Sequence, residues 1–397
     1  MEITFRGVIK EEIKKAYDVV FGRLWPTWLG GILMAVLALL IFLWNFPWGV
    51  SGGYRNWGEW VYYLINLKSE QPIVPHIHPV SVLNIGIIAG AFGSALLSRQ
   101  FSIKKTSRLE YLKGAAGGVL MGIGSAFSGG CIEGAFYTAV GVYSMGGFAM
   151  MIGLIIGAYI GLKYLIWEIY HVDQPGLPEK PYKKNKPAKI DWKSLQPSLG
   201  LFVIFISIVA FYIYSFFDQT QVGGLSFLGI MVGLVMHRTR FCFVRAFRNP
   251  FMTGDSSMVQ VLIMSLAIYA LGSAVIKWSF LQPDTMGVYH PFWIGSLVGG
   301  VFFGIGMVVG GSCASSALWR VGEGNTKIML ALVCFCITNP VIYTLIRRLD
   351  ILDNLGKGIY VPDVFSWYLT IPLYALFFLV IVFLAIWNEK TEKFVIF

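Results

Sequence analysis

Apolar stretches that approach or exceed the length needed to cross a bilayer recur ten times in this chain, at about 27–45, 82–98, 111–128, 146–169, 198–217, 226–237, 258–279, 292–310, 327–346 and 366–387. Inside hydrocarbon every backbone N–H and C=O must find an internal partner, which a helix of roughly 17 to 25 residues provides. The chain is therefore expected to be an all-α integral membrane protein. Composition agrees, since 56% of residues are hydrophobic and only 13% are charged, a balance that a water-exposed globular domain does not sustain. The stretches at 82–98 and 226–237 barely reach the span length and are expected to tilt, to thin the membrane locally or to stop short. Nine or ten transmembrane helices are expected in all.

Charge sets the expected orientation. Lysine and arginine collect in the N-terminal segment, in the 99–113 loop, in the linker at 172–197 with its KPYKKNKPAK run, and in HRTRFCFVRAFR at 237–248, whereas the loops at 46–81, 218–225, 280–291 and 347–365 show no such excess. Cytoplasmic loops carry the surplus of positive charge. Ten alternating spans starting from a cytoplasmic N-terminus put every basic loop inside, with both termini cytoplasmic and the protein in the inner (cell) membrane. The net charge of +10 is then a property of loops flanking spans, and no nucleic-acid partner is expected. Residues 1–26 read as an amphipathic segment on the lipid surface rather than a signal peptide. The proline- and lysine-rich linker at 172–197 divides a first membrane half, 27–171, from a second, 198–346, and a loop with a last helix follows at 347–397.

One segment is duplicated. GGVLMGIGSAFSGGC, Gly117 to Cys131, returns 182 residues later as GGVFFGIGMVVGGSC, Gly299 to Cys313, with eight positions identical. The parity of the intervening spans makes the two copies run in opposite directions, so two inverted, pseudo-symmetric halves are expected. Ser128-Gly129-Gly130-Cys131 and Gly310-Gly311-Ser312-Cys313 are poor helix continuations, which implies broken helices or re-entrant hairpins. Backbone N–H groups freed at Gly129, Gly130, Gly311 and Ser312 and at the helix start that follows favour an anion. One membrane cysteine alone reads as a small apolar filler. Two that close a duplicated motif read as equivalent parts of one substrate site, Cys131 and Cys313.

A third cysteine, Cys242, lies among Arg238, Arg240, Arg245 and Arg248. These cations satisfy the positive-inside rule, and together they also suit an anion funnel, in which Arg240 is the residue assigned to substrate. Cys334 and Cys336, in ALVCFCIT, read as packing. His76 and His78 lack a third ligand, so no metal and no cofactor is expected. Glu133 must face protein or water if it lies within the membrane, and Ser315 takes its place in the second copy. Glu323 is expected to pair with Arg320. A loose match of GIIAGAFGSALLSRQFS to the Cys242 region puts Ser102 where the second half has cysteine.

The twofold Gly-Gly…Cys layout and the RxRFCFxxAFR-like segment resemble the YeeE/YedE family of bacterial and archaeal membrane proteins, over about 82–345. The resemblance implies an hourglass-shaped bundle of inverted halves that takes up thiosulfate. It also implies that Cys131, Cys242 and Cys313 line the constriction and pass the ion along by S–H to sulfur hydrogen bonds, often beside a small cytoplasmic sulfur-carrier protein. A branch of similar length is linked to selenium metabolism, so a selenium compound is an alternative cargo. The competing class is a membrane thiol oxidoreductase or sulfurtransferase, which needs a second thiol at exchange distance or an acid-base partner. No CxxC is present, and a transporter rather than an enzyme is the expectation.

Overall fold

A computed structural model describes residues 11–12, 15–171, 192–284, 286–288, 293–351 and 356–396. Most of the linker at 172–197, with its KPYKKNKPAK run, lies outside the described residues. Helices make up the architecture; among the described residues the extended pairings are two isolated bridges, Lys104 with Asn325 and Ser144 with Tyr360. The first half consists of α1 (Thr27–Trp44), α2 (Ser51–Leu64), α3 (Pro79–Leu97), α4 (Arg108–Ser128), α5 (Ile132–Gly141, opening as a π-helix) and α6 (Gly146–His171). After the linker come α7 (Trp192–Phe216), α8 (Thr220–Thr239), α9 (Phe243–Met252), α10 (Ser257–Trp278), α11 (Ile294–Gly310), α12 (Ala314–Gly322), α13 (Thr326–Arg348) and α14 (Val361–Thr391).

Among the described residues nine helical stretches are long and apolar enough to cross a membrane, and α4 with α5, bent by 45° at their junction, supply a tenth. Each corresponds to one apolar stretch of the sequence. The two stretches that barely reach the span length in the sequence belong to longer helices, α3 of 19 residues and α8 of 20, so neither stops short. Polar side chains near their ends mask their length, because each is paired inside the bundle. Ser81 donates to Asn56 Oδ1 at 2.9 Å, His237 meets Ser94 Oγ at 3.0 Å, and Arg238 donates to the Arg23 carbonyl. Of the loop expected at 218–225, residues 220–225 are the first turns of α8. Helix α2 was not anticipated, since its sequence SGGYRNWGEWVYYL is too polar to resemble a span.

The duplicated motif forms the centre of the molecule. A methyl group on Gly117 would lie 2.6 Å from the Gly306 carbonyl oxygen, and one on Gly124 would lie 2.5 Å from that of Gly299. The first glycine of each motif thus meets the eighth of the other. Such reciprocity arises when α4 and α11 cross antiparallel about a two-fold axis, so the copies are inverted. Small residues let two backbones touch in this way and replace the hydrophobic drive that lipid does not provide. The flanking helices obey the same axis. Helix α6 lies parallel on α11, with Gly153 and Gly157 against Gly300 and Gly304, and α13 lies parallel on α4, with Ala331 and Phe335 against Gly118 and Gly122. Each half therefore supplies the neighbour for the other half's motif.

Two short helices with unrelated sequences are also counterparts. Helix α2 packs on α13 and α3, and α9 packs on α6 and α10. Under the two-fold these are the same contacts.

Candidate functional site

Three helices break in one manner, and a cysteine heads each new piece. Gly129 ends α4 at φ 71° and Gly311 ends α11 at φ 78°, both left-handed. That conformation costs a residue with a Cβ roughly 1–2 kcal/mol, and glycine avoids the cost. Two residues later Cys131 and Cys313 adopt extended backbone and cap α5 and α12. Their carbonyls accept from Ala135 and Ala317 at 2.8 Å in both halves. Cys242 repeats the geometry: it is extended, caps α9, and follows a left-handed residue by two, here Arg240 at φ 54°. At the first break α5 departs from α4 by 45°. Gly130 lies within the first break, its carbonyl accepting from Ser128 Oγ at 2.8 Å, and Ser312 lies within the second, donating to the Cys313 carbonyl at 3.2 Å.

The three thiols are buried, Cys131 and Cys313 at 0% exposure and Cys242 at 2%. Cys313 Sγ donates to Ser316 Oγ at 3.2 Å, and Ser316 donates to Cys242 Sγ at 3.5 Å, so a hydroxyl bridges the two sulfurs. Ser315 Oγ lies 3.4 Å from Cys313 Sγ and also faces Glu133, the matching residue of the first half, without meeting hydrogen-bond geometry with it. Cys131 Sγ faces the backbone N–H groups of Val50, Glu133 and Gly134. Val50 caps α2 as Cys242 caps α9. Val50, not Ser102, is therefore the counterpart of Cys242; Ser102 is exposed in a loop where no helix begins. Tyr54 of α2 donates to the Ala314 carbonyl at 2.7 Å and ties α2 to the broken helix of the other half.

Cys242 also lines a cavity of about 330 Å³ at the end of the bundle where α3, α8 and α12 terminate. Lys104, Arg240, Arg245 and Arg320 face it, opposed by Glu323, so the wall is net cationic and suits an anion. The arginines expected to act as one funnel divide into different uses. Arg238 is fully buried and clamps the Arg23 carbonyl, because its place on α8 turns it into the bundle. Arg248 meets Asn249 Oδ1 at 3.5 Å. Glu323 pairs with Arg240 at 2.9 Å and Lys104 at 3.0 Å rather than with Arg320, and Arg320 instead donates to the Gly311 carbonyl at 2.8 Å, holding the break in α11. Burial alone would lift the Glu323 pKa, but Arg240 and Lys104 beside it hold the carboxyl below the ordinary carboxylate range. Trp319 lies beneath both Arg240 and Arg320, 5.1 and 5.3 Å from the ring centre.

As site residues Lys104, Ser316 and Trp319, with the whole of α2, were not legible in the sequence, and Arg320 was expected only as the partner of Glu323. The repeated motif pointed toward Ser316 and Arg320, which follow its closing cysteine. The two histidines have plain structural places: His78 caps α3, accepting from Ser81 N at 3.2 Å, and the His76 carbonyl accepts from the Tyr214 hydroxyl at 2.7 Å; among the described residues no three His, Cys, Asp or Glu side chains gather to hold a metal.

A multi-pass helical bundle, folded about an inverted repeat and holding buried polar groups at helix breaks, defines a membrane transport protein. The chain matches the family described as Sulphur transport over residues 6–160 and 238–396, and it belongs to that family. It is 26% identical over 70% of both chains to proteins named probable transporter YedE from Escherichia coli K12 and Salmonella typhimurium. It is also 29% identical to the thiosulfate transporter TsuA of Escherichia coli K12, over 28% of this chain and 32% of that one. The TsuA of Spirochaeta thermophila is 32% identical over 26% and 31%.

Proposed function

We propose that this protein takes up thiosulfate across the inner membrane, handing the ion from Cys131 past Cys313 to Cys242 and releasing it through the basic cavity into the cytoplasm. The observation that carries this reading is the Cys313–Ser316–Cys242 chain, which connects the buried centre to that cavity. Thiosulfate has a hard oxyanion end and a soft terminal sulfur. Backbone N–H groups at helix starts and arginine suit the oxygens, while a weak, polarizable thiol donor suits the sulfur. Several weak successive contacts also let the ion leave, which one tight site does not. The basic end faces the cytoplasm by the positive-inside rule, and a small sulfur-carrier protein is the natural recipient there.

Uptake of labelled thiosulfate into liposomes holding this protein alone tests the reading. Accumulation of unchanged thiosulfate, with sulfate competing weakly, is the expected result. Release of a product altered at sulfur would instead assign a sulfurtransferase, and no uptake would end the thiosulfate reading.

A further inference from the structure

Glu133 has no use in the thiol relay, yet it sits at its midpoint. The side chain is fully buried and neither carboxyl oxygen has a hydrogen-bond partner. Among the described residues no lysine, arginine or histidine pairs with it, and the hydroxyl facing it belongs to Ser315. The titratable groups around it are Cys131 beside it, Cys313 at the head of α12, Tyr54 on α2 and Tyr137 on α5. Helices α6 and α11, which also pack on α5, bring no charged group to it among the described residues. A carboxylate isolated in a dry membrane interior is strongly disfavoured unless it is paired or carries a proton.

The chemistry of the cargo narrows the choice. An oxyanion with a terminal sulfur offers only acceptors, so every wall group that holds it must donate. Thiols, serine hydroxyls and the N–H groups at Cys131 all donate, whereas an ionised carboxylate accepts only and repels the anion. We propose that Glu133 is a proton-binding site of the pathway, meeting the anion as the neutral acid and donating its O–H to an anion oxygen. The proton stays on the Glu133 carboxyl while the anion passes, and no bond to the cargo forms or breaks. Glu133 is thus a specificity residue for the oxygen end, as the thiols are for the sulfur end. This rests on the thiosulfate reading for its cargo, but not for the proton.

Two measurements test it separately. Infrared difference spectra of the full-length protein against Glu133→Gln read the proton directly, without cargo. A band in the carbonyl-stretch region of protonated carboxylic acids, absent from the variant and shifted by thiosulfate, is expected; no such band overturns the proposal. Thiosulfate uptake in liposomes reads the role. Glu133→Gln, which keeps a neutral donor, should stay within about threefold of wild type, while Glu133→Ala should lose about tenfold or more. Glu133→Gln as inactive as Glu133→Ala in folded protein overturns the assignment. Absence of uptake by wild type with the infrared band present would refute the thiosulfate reading and leave the proton site standing.

Discussion

At the scale of single residues, the three thiols that head broken helices differ from the two that do not. Cys334 is half-buried and Cys336 buried in α13, and neither caps a helix. Cys131→Ala and Cys313→Ala should each lower uptake by about tenfold or more, the loss expected if each thiol contributes about 1.4 kcal/mol or more to the transition state for passage. Cys242→Ala should impair it, and Cys334→Ala and Cys336→Ala should match wild type. Serine at 131 or 313 keeps a donor but replaces a soft atom with a hard one, so full uptake by the double serine variant would sink the relay. Arg245 forms no ion pair among the described residues, and Arg245→Gln should cost more uptake at low than at high salt, as expected for steering by a screened charge. Glu323 supplies a control for pH. Its carboxyl lies below the ordinary range, so its pairing stabilises fully above the unfolded carboxylate value and is lost as pH falls through the folded one. The difference in thermal stability between wild type and Glu323→Gln should stay constant down to about pH 5 and shrink below about pH 4. A difference that changes near neutrality would contradict that sign.

At the scale of elements, the seam between α4 and α11 is the least forgiving. A Cβ at residue 124 would lie 2.5 Å from the Gly299 carbonyl oxygen and 2.6 Å from the Phe303 nitrogen. Gly124→Ala should therefore force the two backbones apart and destabilise by about 1–3 kcal/mol, read as a lowered Tm in detergent; an unchanged Tm would deny the close crossing. The spans were legible because length and apolarity are written directly in the residues. The true ends of α3 and α8 were not, because Ser81 at the start of α3, and Thr220, Gln221, Gly223 and Gly224 at the start of α8, look like loop. Helix α2 was illegible for a deeper reason. Its counterpart α9 shares position and contacts but no residue pattern, so Val50 shows its place beside Cys131 only in three dimensions. Cys131 and Cys313 stood out because duplication preserved the glycines that their backbone requires, while Arg240 performs the same left-handed turn with no such signature.

At the scale of the whole molecule, the helix directions fix a single arrangement of ends. Glu70 lies in the exposed connection between α2 and α3, and Lys105 in the exposed one between α3 and α4. Single cysteines at these positions, in a background lacking the native thiols, should label with an impermeant reagent from the outside at 70 and only after permeabilisation at 105. Labelling of both from outside would contradict α3 as a span, and the reverse pattern would invert the orientation proposed above.

The crossed support of α6 on α11 and α13 on α4 also limits how the protein moves. Were the halves to part like jaws, touching backbones along several glycine seams would have to separate at once, and packed seams switch between discrete arrangements rather than stretch. Motion is left to α9, the small central piece that no such glycine seam holds, hung from the break at Arg240. Opening then resembles the turning of one latch inside a fixed frame, and the rate of passage is expected to follow the microsecond-to-millisecond clock of local gates while the outline in the membrane stays still.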